Sequence, residues 1–163
     1  INGIAIIGTN GWWSYDFDPN IQFDESVKYA INRYNISLND AITLRTMAIS
    51  DANYLADTVN RCQTMPDIRK IVVVTHTVPQ EQLVSSDPDF ASDYQYNLLG
   101  NSYIKQILEQ DTERKIDTWC FGHYHKDVDS VINDIRYVNN CLGEKGSTWG
   151  KSVYHPKRIE VSF

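Results

Sequence analysis

Three histidines that follow apolar runs are the residues of this sequence best suited to chemistry. His76 ends the run IVVVT, and His123 and His125 follow WCFG with one tyrosine between them. Two parallel strands side by side would bring all three imidazoles to one edge of a sheet, where strand ends position ligand-binding loops. Residues i and i+2 of an extended chain point to the same side, so we expect His123 and His125 to face one place. Imidazole is a common metal ligand, and the sequence therefore predicts a metal site at these histidines.

The sequence gives weaker evidence for a role of four other residues in such a site. Gly122 would allow the backbone to approach an ion closely. Asp16 and Asp18, in the loop after the first apolar run, either approach a metal or are simply solvated. His155 lies in the polar segment VYHPKR and is expected at the surface.

Two segments are candidates for contact with a substrate. Aromatic residues crowd the segment NGWWSYDF, where they either line a pocket or pack in the core: Trp12, Trp13, Tyr15 and Phe17. The polar segment 77–97 is long for a loop in a compact domain, and such loops are often functional. We place substrate selectivity there, with these residues as its acidic and aromatic side chains: Asp87, Asp89, Phe90 and Asp93.

The elements that position these residues alternate between strands and helices. The runs GIAIIG, RKIVVVTH and IDTWCFG predict buried strands, DVDSVIN and IRYVNNC predict a hairpin, and RIEVSF predicts a final strand. Apolar spacing predicts helices at 24–34, at 38–62 with a break near Ser50 and Asp51, and at 103–110. The pattern indicates a single α/β domain over 1–163.

Composition narrows the class of partner. The net charge of −6 disfavours non-specific binding to nucleic acid or to an anionic membrane surface. The three cysteines, an odd number without metal-ligand spacing, indicate no disulfide framework and fit a reducing cytoplasm, with Cys120 as a small core residue. No stretch approaches the ~20 apolar residues of a membrane-spanning helix. We expect a cytoplasmic protein.

The order of three motifs resembles a known family. VVVTHTVP, then FGHYH, then a hairpin ending in IRYVNN is similar to the second half of a calcineurin-like metallophosphoesterase. The opening IAIIGTNGWWSYDF resembles the strand and tryptophan-rich segment that follow the Asn-His-Glu/Asp motif of that family. The resemblance implies an incomplete four-layer α-β-β-α sandwich in which this chain is the C-terminal part of the domain.

The same resemblance implies a function. His76 and His123 would ligate one ion of a dinuclear pair and His125 the other, the two divalent ions being Mn, Fe or Zn. A phosphorylated substrate would be held between ions roughly 3.5–4 Å apart while an activated water attacks phosphorus in line. The resemblance thus predicts hydrolysis of phosphomonoesters or phosphodiesters.

The N-terminal motifs of the family are absent from this chain. It has no Asp-x-His, Gly-Asp-x-x-Asp or Gly-Asn-His-Glu/Asp, which supply the carboxylate that bridges the metals. We therefore expect the isolated chain to be inactive, and we expect it to associate with the missing N-terminal segment or with itself. Two alternatives stay open: a non-catalytic phosphoesterase-like scaffold or binding module, and a single-zinc site made by the three histidines and water.

Overall fold

The sheet at the centre of the molecule has five strands and is mostly parallel. A computed structural model describes residues 2–84, 94–143 and 154–161. The order across the sheet is β1-β2-β3-β5-β4, in which only the β4–β5 pair is antiparallel. The strands are β1 (Ile4–Gly8), β2 (Lys70–Val74), β3 (Ile116–Cys120), β4 (Val128–Ile132) and β5 (Ile135–Asn139). The α/β prediction is confirmed, as is the hairpin.

Three α-helices accompany the sheet in the described residues: α1 (Phe23–Tyr34), α2 (Leu38–Thr64) and α3 (Lys105–Glu109). Helix α2 begins with a capping box, in which the Ser37 side chain accepts from the Asp40 N–H and the Asp40 side chain accepts from the Ser37 N–H. The predicted break near Ser50 is wrong, because α2 continues through it. Ala48 and Ala52 on either side are buried, so packing outweighs the moderate helix propensity of Ser and Asp.

The hydrophobic core lies between α2 and one face of the sheet. Leu55 and Val59 of α2 share a cluster with Ile71, Trp119 and Tyr137 of the strands, all fully buried. The continuous apolar run of β2 fits its place between β1 and β3, where both neighbours are parallel. The expectation that β1 is a buried strand is wrong in part. It lies at the edge of the sheet, with Ile6 65% exposed.

Three further expectations concern the segments 158–163, 77–97 and 103–110. Residues 158–161 form no strand, and the last two residues of RIEVSF lie outside the described residues. The described parts of 77–97 contain two 3₁₀ turns, Glu81–Leu83 and Tyr94–Leu98. A third turn, Ser102–Ile104, leads into α3, which makes that predicted helix shorter than expected. No helix among the described residues has the length and apolar character needed to cross a membrane.

Candidate metal centre

The three histidines meet at the carboxyl ends of β2 and β3. Parallel pairing sets Val74 beside Cys120, so the chains that leave the two strands run next to each other. The Gly122 N–H donates to the His76 carbonyl at 2.9 Å. Beyond it, His76 Nε2 lies 3.1 Å from His123 Nδ1. The His125 imidazole is close enough to lower the pKa of both, and all three side chains line one pocket of about 380 Å³, here called the histidine pocket.

The backbone at His123 differs from the extended form that we expected. His123 has φ = 61°, in the left-handed region, so the i and i+2 alternation of a strand does not apply to His123 and His125. A non-glycine residue there costs about 1–2 kcal/mol, and such strain is often found at functional sites. At Gly122, by contrast, a Cβ would lie 3.4 Å from the His76 carbonyl oxygen, an ordinary contact. The described neighbours of Gly122 therefore do not demand a glycine.

The strained backbone can be tested with two variants of one residue. His123→Ala and His123→Gly both remove the imidazole, and they differ mainly in the cost of positive φ. We expect the glycine variant to be more stable than the alanine variant by about 1 kcal/mol, measured by urea denaturation. Greater stability of the alanine variant, as at an ordinary loop position, would contradict a left-handed His123.

His123 is held as a neutral ligand with a defined tautomer. Its Nε2 lies 2.9 Å from the Leu98 carbonyl oxygen, which can only accept, so the ring proton is on Nε2 and Nδ1 accepts from His76 Nε2–H at 3.1 Å; an ion held by both nitrogens would take the place of that proton. Burial, then the neighbouring His76, lowers the pKa of His123 to about 4. Burial and then His125 lower the pKa of His76 as well. Neutral imidazole is the form that binds metals.

The spacing of His76 and His123 suits one ion. Two nitrogens each 2.0–2.1 Å from a tetrahedral zinc are roughly 3.3 Å apart, close to the observed 3.1 Å between His76 Nε2 and His123 Nδ1. Further ligands are not provided by the described residues. Within residues 2–84, 94–143 and 154–161, no three His, Cys, Asp or Glu side chains are arranged to hold a metal, and this includes the three histidines taken together. The imidazole pair thus fits one ion, and the described residues bring no carboxylate to bridge two.

The acidic residues of the first loop, Asp16 and Asp18, make contacts that stabilise the loop. Asp16 pairs with Arg45 at 3.2 Å and accepts hydrogen bonds from the Ser14 and Ser102 hydroxyls. Asp18 Oδ1 accepts from the backbone and side chain of Asn20. These contacts hold the loop in place, so the carboxylates are engaged away from the histidines.

Backbone hydrogen bonds fix the aromatic loop beside the histidines. The Thr9 N–H donates to the Val74 carbonyl at 3.1 Å, and the His76 N–H donates to the Asn10 carbonyl at 2.9 Å. The Gly11 N–H donates to Asp51 of α2 at 2.7 Å. The loop is therefore tied to β2 and to α2, and it carries Trp13 to the His123 ring. The two rings stack with their centroids 5.3 Å apart.

The aromatic residues divide between a pocket and the core. Trp12, Trp13 and Tyr15 line a second pocket of about 690 Å³, here called the aromatic pocket, which His123 and His125 also line. Phe17 is 1% exposed and belongs to the core. Tyr15 lines this pocket and also belongs to a core cluster, since it is 0% exposed. Core packing is therefore confirmed for Phe17 and Tyr15, and a substrate in the pocket stays a prediction.

The remaining residues singled out in the sequence have different environments. His155 is exposed, as expected, and its carbonyl accepts from Asn140. Cys120 is half-buried and lines the histidine pocket instead of the core. The residues given to selectivity lie outside the described residues: Asp87, Asp89, Phe90 and Asp93.

Asn139 is a residue of the site to which the sequence alone assigns no role. It ends β5, the parallel neighbour of β3, and so reaches the same edge as the histidines. Its Nδ2 donates to the Tyr124 carbonyl, and its buried Oδ1 has no hydrogen-bond partner among the described residues. Asn139 lines the histidine pocket. The signal was present, since it is a polar residue at a strand end, but its neighbour in the sheet could not be known.

Comparison with known proteins gives a likeness of fold. No protein-family model matches the chain, and no curated protein matches its sequence. A solved structure, the phosphopantetheinyl hydrolase PptH from Mycobacterium tuberculosis, is similar with a TM-score of 0.56 and 17% identity. The match covers 93% of this chain and 58% of that one. This chain therefore has an α/β fold, with a five-stranded, mostly parallel sheet, like that of the hydrolase.

Proposed function

We propose that this chain carries the histidine half of a metal-dependent phosphoesterase, which hydrolyses phosphomonoesters or phosphodiesters. The observation that carries the proposal is the neutral imidazole pair of His76 and His123, with nitrogens 3.1 Å apart and His123 fixed by the Leu98 carbonyl. Its place at the carboxyl ends of parallel strands is where α/β proteins bind ligands. The fold likeness to a hydrolase supports the same class.

The residues of the chain would divide the work as follows. His76 and His123 would hold one divalent ion (Mn, Fe or Zn), and His125, in the same pocket, would face a second. When bound, such ions supply Lewis acidity that neutralises charge on a phosphoryl group. The Trp13 ring keeps the His123 imidazole in its plane, and the Leu98 carbonyl keeps its proton on Nε2. Both contacts prepare Nδ1 as a ligand before an ion arrives.

Two exposed apolar side chains on one sheet face are the support for an incomplete four-layer sandwich. The register places Ile6, Val72, Thr118, Arg136 and Val131 in one row across the sheet, so they share a face. Ile6 is 65% exposed and Val131 is 68% exposed at the two ends of this row, whereas Val72 and Thr118 in its middle are buried. Another layer on this face would bury the two exposed ends. A second sheet on this face would complete the sandwich.

Elemental analysis of the chain tests the proposal. After reconstitution with Zn²⁺ or Mn²⁺ and dialysis against metal-free buffer, we expect one ion per chain, because the imidazole pair fits one ion. The matched control is His155→Ala, which removes an exposed imidazole and keeps the carbonyl that Asn140 binds. It should leave the metal content unchanged, and the chain itself should not hydrolyse phosphate esters.

The other outcomes separate the alternatives. Folded protein that binds neither metal would refute the metal centre and favour the non-catalytic scaffold. The single-zinc alternative would be favoured by one tightly bound zinc per chain that added Mn²⁺ does not displace. It also requires that any assembly of this chain that hydrolyses phosphate esters contains no second ion.

A further inference from the structure

The aromatic pocket is larger than the histidine pocket and has a different character. It measures about 690 Å³, within the usual range for sites of small organic molecules. Its walls are mainly apolar and aromatic, with contributions from the first loop, α1 and α2. Representative wall residues are Trp12, Tyr34, Ile36 and Leu44. His123 and His125 line both pockets, so the imidazoles stand where the two pockets meet.

Two polar atoms in residues that line this pocket are buried and make no well-formed hydrogen bond with a described residue. They are the Trp13 Nε1 and the Tyr15 hydroxyl. Tyr15 is fully buried; burial raises the pKa of its phenol, and a weak hydrogen bond from the Trp13 indole N–H to the phenol oxygen lowers it. Buried polar groups are nearly always hydrogen-bonded, since an unmade bond costs about 1–3 kcal/mol. The Tyr15 O–H is thus left without an acceptor among the described residues, and it is suited to a ligand that brings one.

The backbone at Tyr15 has a second unusual feature. Tyr15 has φ = 64°, in the left-handed region that aromatic residues seldom adopt. A residue distant in the sequence stabilises this conformation: the Asn97 side chain donates to the Tyr15 carbonyl at 3.3 Å and to the Ser26 hydroxyl at 2.8 Å. The chain thus keeps a strained residue whose O–H finds no acceptor among the described residues. Strain of this kind is typical of ligand sites.

We propose that the aromatic pocket binds the organic part of the substrate: a flat, largely apolar ring system that carries a hydrogen-bond acceptor and is esterified to phosphate. The ring lies among the aromatic walls, the acceptor receives a hydrogen bond from the Tyr15 hydroxyl, and the phosphate faces the histidines. The position of the phosphate rests on the proposed function, whereas the binding of the ring does not.

Calorimetric titration with two phosphate esters tests the proposal. The probe 4-methylumbelliferyl phosphate has a flat ring whose carbonyl lies opposite its phosphate, and methyl phosphate has the phosphate without a ring. On the full chain, we expect the first to bind at least tenfold more tightly, because aromatic burial adds to the phosphate contact. Tyr15→Phe should weaken binding of the umbelliferyl ester about fivefold, the value of one hydrogen bond, and leave methyl phosphate unchanged.

The variant has a readout that separates binding from structure. Because the buried Tyr15 O–H has no acceptor among the described residues, Tyr15→Phe should keep or raise the melting temperature while it weakens ligand binding. Tyr54→Phe, at a 52% exposed position on α2, is the matched control and should change neither. A second variant, Leu44→Trp, should fill the pocket and abolish the preference for the ring.

Each result decides between the two proposals. Equal affinity for the two esters, or ring binding that survives both Tyr15→Phe and Leu44→Trp, would overturn the inference and leave the metal centre as proposed. If both variants weaken binding of the umbelliferyl ester, and the chain binds no metal, the aromatic pocket would be supported and the phosphoesterase proposal refuted.

Discussion

Replacing His123 with alanine is expected to lower the affinity of the chain for Zn²⁺ or Mn²⁺ by about 100-fold or more. Loss of a group that only orients a metal ligand costs roughly 10–100-fold, and loss of the ligand itself should cost at least as much. His123 Nδ1 is one of the two nitrogens whose spacing suits a shared ion. In any assembly of this chain that hydrolyses phosphate esters, the same change should reduce turnover to background.

The measurement is competitive titration with a chelating indicator, and folding is checked by circular dichroism. His155→Ala is the control for loss of a histidine as such, because its imidazole is exposed and His155 is not among the residues that line the histidine pocket. His123→Asn tests geometry, since it keeps a polar side chain and tolerates the positive φ of this position. Unchanged metal affinity in a folded His123→Ala protein would remove this residue from the site.

Replacing Gly100 with alanine is expected to destabilise the fold by about 3 kcal/mol, at the upper end of the cost of overpacking a core. A Cβ at Gly100 would lie 2.2 Å, 2.4 Å and 2.6 Å from three carbons of the Phe17 ring. Phe17 is 1% exposed and packs against Tyr96 with ring centroids 5.6 Å apart, so the ring has little room to move. The backbone at Gly100 is also held, since its carbonyl accepts from the Ser14 N–H.

Urea denaturation measures this effect, and Gly122→Ala is the matched control. A Cβ at Gly122 meets its nearest described atom at 3.4 Å, so the control should be neutral or stabilising by less than about 1 kcal/mol. Because Leu98 lies two residues before Gly100 and holds His123, Gly100→Ala should also weaken metal binding. Equal stability of the Gly100→Ala protein and the wild type would show that the loop beside Phe17 can yield.

Much of the sheet and the position of the three histidines could be predicted from the sequence. The runs IVVVT and WCFG are short, apolar and bounded by turns, which is typical of buried parallel strands. Because such strands end at a common edge, histidines that follow two of them are brought together whenever the strands are neighbours. The hairpin was predictable for a similar reason, since it depends on local alternation and a two-residue turn at Asn133 and Asp134.

Features that depend on distant neighbours could not be predicted in this way. The break assigned near Ser50 was wrong because propensity is local, whereas Ala48 and Ala52 are held by packing against the rest of the molecule. The exposure of Ile6 followed from the place of β1 at the sheet edge, and an apolar run does not reveal whether it has one neighbour or two.

The details of the site also came from tertiary contacts. Local sequence determined that imidazoles would follow the strands. The fold decided that His123 takes a left-handed backbone, stacks on Trp13 and donates to Leu98, because these partners come from the first loop and from a turn 25 residues earlier in the chain. The same distant contacts leave the buried Tyr15 O–H without an acceptor, and the buried Asn139 Oδ1 without a donor, among the described residues. Unmade hydrogen bonds of this kind are invisible in a sequence, since they are a property of what surrounds an atom and not of the residue that carries it.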